Sequence, residues 1–239
     1  MAKSKTVLIT GAALRLGREI ALSFADNGWD VVIHTHRSKK AADELAALIE
    51  QKKRKATVVQ ADLTDAQAVS RIIPALSRRG VALDCLVNNA AQFNKDSLHN
   101  LTPESWRQHM DVNLFAPLQL IRDFAAQYKG ASGNIINITD GMHGWSLSPT
   151  FLSYSLSKLS LNNATQLLVC ELAPRIRINA IAPGPTLEGM QDKKNTFAKL
   201  KKIIPLARTS SPSEVCDAVH YILSASSLTG QIISLSGGM

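Results

Sequence analysis

Tyr154 and Lys158 stand four residues apart in Tyr154-Ser155-Leu156-Ser157-Lys158, inside a stretch from Ser153 to Ala173 that reads as one long helix. Residues i and i+4 share a helix face. A phenol with a pKa near 10 shuttles protons poorly at neutral pH, and an ammonium group beside it favours the phenolate and lowers that pKa. The pair is a candidate for general acid–base chemistry. A second group is Thr10-Gly11-Ala12-Ala13-Leu14-Arg15-Leu16-Gly17, placed between a short apolar run and a segment of helical spacing. Glycine lets the backbone approach an anion, and the amides of a helix N-terminus face it. That is where a dinucleotide would seat its pyrophosphate.

The residues after the second predicted strand are His34-Thr35-His36-Arg37-Ser38. A carboxylate at that end would bind the 2′-hydroxyl of NAD, and a basic group would accept the 2′-phosphate of NADP. No acid is present there. Asp30 opens the strand rather than closing it, and ligands bind at the carboxyl ends. Arg15, Arg37 and Ser38 are therefore expected to surround a phosphate, with arginine supplying paired donors. The cofactor expected is NADPH/NADP+. His34 and His36 alternate on a strand with no further ligand near them, so no metal is expected.

Positioning these groups is the task of a regular alternation. Apolar, β-branched runs predict strands at Thr6–Thr10, Asp30–Thr35, Ala56–Gln60, Leu83–Asn88, Asn134–Thr139, Arg177–Ile181 and Gln231–Leu235. Between them, helical spacing covers Leu14–Asn27, Ser38–Lys53, Asp65–Arg79, Thr102 to about Tyr128, and Ser153–Ala173. A capping box, Ser211-Pro212-Ser213-Glu214, opens a last helix to about Ser224. The sequence predicts an α/β, single-domain, Rossmann-type fold over residues 1–239. It is a doubly wound parallel seven-stranded sheet with helices on both faces. Residues 187–210, carrying Lys193, Lys194, Lys199, Lys201 and Lys202, break the alternation and read as a mobile substrate-loop segment.

Composition narrows the class. Hydrophobic residues make up 45% and charged residues 19%, which excludes a disordered, collagen-like or coiled-coil chain. Lys and Arg number 27 against 19 Asp and Glu, a net charge of +8 that favours an acidic partner. Nucleic acid, an anionic membrane and a phosphorylated cofactor are the classes that fit. Lys52-Lys53-Arg54-Lys55 sits at a helix end, where cations suit the dipole and the solvent, and no aromatic interleaving surrounds it. Nucleic acid and membrane are therefore not expected partners; a small-molecule substrate is. Cys85, Cys170 and Cys216 are separated and odd in number, as for reduced thiols in a cytoplasmic protein. The N-terminal apolar run is too short for a signal peptide, and no stretch is long enough for a membrane-spanning helix.

Taken in order, the motifs resemble those of the short-chain dehydrogenase/reductases over nearly the whole chain. The loop of Gly11 to Gly17 is similar to their TGxxxGxG signature, with Arg15 in place of the middle glycine. Asp62 in Ala61-Asp62-Leu63, Asn88-Asn89-Ala90-Ala91, Asn113, the YxxxK of Tyr154 and Lys158, and Pro183-Gly184 followed by Thr186 complete the pattern. The resemblance implies that Asp62 and Leu63 contact adenine. Asn89 and Ala90 would border the cofactor, and Pro183, Gly184 and Thr186 would hold the nicotinamide carboxamide. It further implies that Tyr154 donates a proton as hydride arrives, that Lys158 binds the nicotinamide ribose, and that Asn113 supports the proton relay. It also implies a homotetramer built on the helices near 103–128 and 153–173.

One departure carries a substrate expectation. Where most of the family has a serine about 13 residues before the tyrosine, this chain has Asp140, 14 before Tyr154. An ionised carboxylate only accepts hydrogen bonds and would oppose an alkoxide forming nearby. Asp140 suits a substrate with N–H donors, or a proton relay to a ring nitrogen. Arg15, His36-Arg37-Ser38, Asp140 and Phe93 together resemble the pteridine and dihydromonapterin reductase subgroup. There the matching phenylalanine stacks on the pterin, so Phe93, Arg15, Asp140 and Tyr154 are the implied substrate contacts. The competing expectation is a generic carbonyl reductase acting on a 3-oxoacyl thioester or a sugar ketone. A catalytically silent NADP(H)-binding regulator fits less well with intact Asn113, Tyr154 and Lys158.

Overall fold

The computed structural model describes residues 4–141, 150–187 and 196–239. Among them, seven strands form one sheet in the order β3-β2-β1-β4-β5-β6-β7, and every neighbouring pair is parallel. The strands are β1 Thr6–Ile9, β2 Asp30–Thr35, β3 Ala56–Gln60, β4 Cys85–Asn88, β5 Gly133–Ile138, β6 Ile176–Pro183 and β7 Ile232–Leu235. Each coincides with a predicted strand to within a few residues at its ends. The fold is the α/β doubly wound Rossmann type expected from the alternation.

Because successive side chains of a strand point to opposite faces, each fully apolar strand feeds two cores. Val7 and Ile9 of β1 join Ile20, Ala21 and Phe24 of α1 (Arg15–Asp26), Leu45 and Ile49 of α2 (Lys39–Gln51) and Val219 and Ile222 of α9 (Pro212–Ser224) on one face. Leu8 joins Val69, Ile72 and Leu76 of α3 (Ala66–Arg78) and Leu120 and Phe124 of α5 (Ala116–Gln127) on the other. Full burial of one such side chain is worth about 1.5–3 kcal/mol. The sheet is thus anchored from both sides, and its carboxyl edge is a rigid platform.

Local chemistry sets the helix boundaries. Asp65 caps α3 through the Gln67 and Ala68 amides, Thr102 caps α4 (Pro103–Met110), and Ser211 with Glu214 closes the capping box of α9. Two helical stretches consist of more than one element, as expected for the helices from Thr102 to Tyr128 and not for the single helix expected from Ser153 to Ala173. The stretch from Thr102 to Tyr128 is broken between α4 and α5 by a π-helical turn, Asp111–Phe115. The stretch from Ser153 to Ala173 divides into α6 (Leu152–Leu167) and the short α7 (Val169–Leu172), with Leu168 between them. Within 187–210 the structure describes α8 (Thr196–Ile203) and the chain that follows it. Lys193 and Lys194 fall outside the described residues.

Order β3-β2-β1-β4 means that the chain winds one way from β1 and the other way from β4. A crevice opens at the carboxyl ends where the winding reverses, and this is where open α/β sheets bind ligands.

Candidate active site

The crevice floor is the loop from β1 to α1. Gly11 has φ +63°, and a Cβ on it would lie 3.0 Å from Cα of Ala90. At Gly17 a Cβ would meet the Gly11 carbonyl oxygen at 2.3 Å and Nδ2 of Asn89 at 2.6 Å, so the helix can approach the loop only as glycine. Asn89 fastens the two segments: its Nδ2 donates to the Thr10 carbonyl at 2.9 Å. The Thr10 hydroxyl accepts from the amides of Asn89 and Ala90 at 2.9 and 3.0 Å. Leu14, at the N-cap of α1, offers no side-chain acceptor, so the first-turn amides face the crevice uncapped. A dinucleotide pyrophosphate fits this cradle.

Arg15 occupies the left-handed region, with φ +54°, at the position where the family signature has glycine. Its guanidinium donates to the Leu187 carbonyl at 3.3 Å. The loop's geometry is thus kept at some backbone cost, with a cation placed over the crevice.

Two clefts run from the loop and share Gly11, Leu14, Ala90 and Ala91. The first, about 700 Å³, is lined by His36, Arg37, Ser38, Asp62 and Leu63. Burial alone would raise the Asp62 carboxyl. The Thr64 amide and hydroxyl and the His36 and Arg37 charges outweigh it and hold the group below the usual carboxylate range. His36 Nε2 lies 3.4 Å from Asp62 Oδ2. Asp30 accepts from the Lys55 amide at the far end of β2 and stands apart from the cleft. Arg15 lines the second cleft and not the first. Arg37 and Ser38 thus meet in the first cleft, while Arg15 reaches toward Leu187.

The second cleft, about 420 Å³, is lined by Arg15, Leu16, Asp140, Tyr154, Lys158 and Thr186, among others. The Tyr154 hydroxyl donates to Oδ2 of Asp140 at 2.7 Å. Lys158, 1% exposed, donates through Nζ to the Ile138 carbonyl at 2.7 Å. Burial pulls the Lys158 ammonium down to about 8, against the pull of Asp140. The phenol moves in the direction opposite to the sequence expectation. Burial, then the Asp140 charge and hydrogen bond, push Tyr154 well above the usual phenol range. The Lys158 ammonium is directed at a backbone carbonyl and not at the phenol. Thr139 also lines this cleft, and its hydroxyl donates to the Ile181 carbonyl at 3.3 Å.

Asn113 sits in the π-helical turn, fully buried. Its Nδ2 donates to the Gln92 carbonyl at 3.0 Å and to the Ser157 hydroxyl at 2.9 Å, and its Oδ1 accepts from the Gln92 amide at 2.7 Å. The widened turn carries the amide between α6 and the loop after β4. Across the cleft, Gly184 donates to the Leu235 carbonyl at 3.0 Å, and Thr186 hydrogen-bonds the Gly184 carbonyl and Ser210. Pro183 and Gly184 line the cleft with Thr186.

Phe93 is 57% exposed, lies edge-on to Tyr154 with ring centroids 4.6 Å apart, and stacks on Phe151 at 4.5 Å with planes 7° apart. It borders Tyr154, although one neighbour on its face is a protein ring. Sequence reasoning missed Phe151, and it missed what fixes the loop carrying Phe93. The buried His109 accepts from the Asn94 amide at 3.1 Å, and the buried Asp96 accepts from the Ser153 amide at the start of α6 at 3.0 Å. It also missed His34, a buried imidazole beneath the glycine loop. Only a polar residue within an apolar strand pattern marked that last site in the sequence.

A family profile for short chain dehydrogenase matches residues 5–199. The chain belongs to that family. It is an NAD(P)-dependent oxidoreductase fold with the family's tyrosine and lysine in one cleft. The crystal structure of FolM alternative dihydrofolate reductase 1 from Brucella canis, complexed with NADP, is similar at 38% identity and TM-score 0.92. That match covers 98% of this chain and 93% of that one. The NADP complex of its Brucella suis counterpart matches at 38% and 0.88, over 98% and 94%. A 3-oxoacyl-[acyl-carrier-protein] reductase from Synechocystis sp. is 32% identical over 243 residues, covering 99% of this chain and 97% of the relative.

Proposed function

We propose that this enzyme uses NADPH to reduce a pterin-like nitrogen heterocycle at a C=N bond. The observation that carries the reading is the 2.7 Å hydrogen bond from Tyr154 to Asp140 in the second cleft. A carboxylate that only accepts is suited to the ring N–H and amino groups of a pterin and ill suited to an alkoxide. The FolM relatives, named as dihydrofolate reductases and bound to NADP, support both substrate class and cofactor.

In this reading Arg37 and Ser38 take the 2′-phosphate, and the first turn of α1 takes the pyrophosphate. Asp62 and Leu63 border adenine, and Lys158 holds the nicotinamide ribose. The reduced nicotinamide supplies a hydride to the substrate carbon. Tyr154, with its phenol pushed up, keeps its proton at neutral pH, and Asp140 holds that proton at its Oδ2. The ring nitrogen that gains an electron pair takes the proton from this pair, directly or through water. Phe93 offers an aromatic face beside Tyr154 for the flat ring.

NADPH oxidation measured with dihydromonapterin, dihydrobiopterin and dihydrofolate, beside ketones and a 3-oxoacyl thioester, tests this. Turnover of a pterin is expected. Turnover confined to ketones or the thioester would replace it with carbonyl reduction, which the 32% identical 3-oxoacyl reductase favours. Asp140→Ser separates the two further. Pterin reduction collapses in that variant, while carbonyl reduction survives or improves.

A further inference from the structure

His34 is 1% exposed at the carboxyl end of β2, in line with the fully apolar Val31, Val32 and Ile33. Its ring is nonetheless bonded at both nitrogens. Nδ1 lies 3.2 Å from the Gly11 amide, and Nε2 lies 3.2 Å from the Ala61 carbonyl. An amide can only donate and a carbonyl can only accept. Nδ1 must therefore carry the lone pair and Nε2 the proton, and no other protonation state satisfies both. The His34 carbonyl also accepts from the Ala12 amide at 3.0 Å. Gly11 and Ala12, the first residues of the glycine loop, thus spend their amides on one residue, and the anion is left to the amides of α1. On its other side the ring holds Ala61, the residue before Asp62 and Leu63.

We infer that His34 is a positioning residue of the cofactor site, a single rigid ring that fixes the pyrophosphate loop relative to the adenine wall. The dinucleotide must span both, so the separation of these two walls sets how well its halves are received together. A protonated ring would turn a second donor toward the Gly11 amide. Burial opposes this and, against the Ala61 bond and with His36, holds the group down at about 4, so the ring stays neutral in use. The inference rests on the cofactor half of the proposed function and is independent of the substrate.

Two substitutions divide the ring's contacts. His34→Asn keeps an acceptor near the place of Nδ1, and His34→Gln keeps a donor near the place of Nε2. Binding of NADPH, followed by its fluorescence without substrate, is expected to weaken about tenfold in both variants, because losing either contact breaks the bridge between the two walls. Both should melt at similar temperatures, and His34→Gln should raise KM for NADPH far more than it lowers kcat. Unchanged affinity in either variant would overturn the inference. Nitrogen NMR of the wild-type imidazole gives a check that needs no variant: a proton on Nδ1 would overturn it as well. Failure of the wild type to bind NADPH would instead sink the cofactor reading on which it rests.

Discussion

The Tyr154 hydroxyl donates to Oδ2 of Asp140 across 2.7 Å, joining the first turns of α6 to the end of β5. The contact makes the two residues one proton-holding unit. Burial comes first and the Asp140 charge second in pushing the phenol up, so Tyr154 stays protonated over the working pH range. Asp140→Asn removes the charge and keeps the shape. It is expected to lower the Tyr154 pKa, read by ultraviolet titration against a Tyr154→Phe blank, while pterin reduction falls. Tyr154→Phe itself should lower kcat by about 10²–10⁴, the usual contribution of a placed general acid. Retained kcat would remove Tyr154 from the role of proton donor.

Lys158 gives a prediction with a definite pH window. Its folded pKa is lowered to about 8 by burial, partly offset by Asp140. An unfolded lysine titrates near 10.4. Between those values the unfolded chain binds more protons, so this group's contribution makes stability rise with pH there. The contribution is fully present above the unfolded pKa and is lost as pH falls through about 8. Lys158→Met should flatten that part of the stability curve. Activity runs the other way: in the proposed function the Lys158 ammonium holds the cofactor ribose, and it loses its charge above about 8, so kcat/KM should fall there. Asp140→Asn takes away the one carboxylate supporting the charge, and the alkaline limb of its residual activity should move to lower pH. A limb that stays in place would dissociate it from Lys158.

Arg37 and Ser38 line the first cleft, and the segment at the end of β2 that carries them, residues 34–38, contains no acid. Arg37→Ala should therefore weaken NADPH and leave NADH nearly unchanged. A charge-assisted hydrogen bond is worth about 1.5–3 kcal/mol, which corresponds to roughly 10–100-fold in KM for NADPH. Arg15→Ala should not reproduce this preference, because Arg15 opens on the other cleft. Initial rates with the two cofactors check both statements.

Much of this architecture was legible in the chain. The seven strands were readable because parallel strands covered on both faces are rich in apolar residues, and Gly11 and Gly17 were readable because the close approaches there admit no side chain. Tyr154 and Lys158 fell on one helix face by spacing alone. What escaped was whatever depends on distant segments meeting. The phenol's upward shift follows from Asp140 reaching Tyr154, and spacing could indicate only the lysine. His34 looked like one more alternating strand residue until Gly11 and Ala61 arrived at its two nitrogens.

Asp96 shows the same dependence and yields the last prediction. The N-cap of α6 is Phe151, which has no acceptor to offer. Asp96 supplies one from the loop after β4: its Oδ1 accepts from the Ser153 amide at 3.0 Å, and its backbone pairs with Thr150 and Leu152. Burial would raise this carboxyl, but the Ser153 hydrogen bonds and the nearby His109 and Ser105 hold it below the usual range. A depressed folded pKa means stabilisation above the unfolded value near 3.9, lost as pH falls through the folded one. Removing such a cap costs about 0.5–2 kcal/mol. Asp96→Ala should lower the melting temperature at neutral pH and lose most of that deficit in acid. Phe93, three residues before Asp96, and Tyr154, next to Ser153, are both held by this contact. The variant should therefore lose kcat for the heterocycle while its affinity for NADPH stays close to that of the wild type. Equal losses of kcat and cofactor affinity would mean that Asp96 supports the fold as a whole and not the alignment of Phe93 with Tyr154.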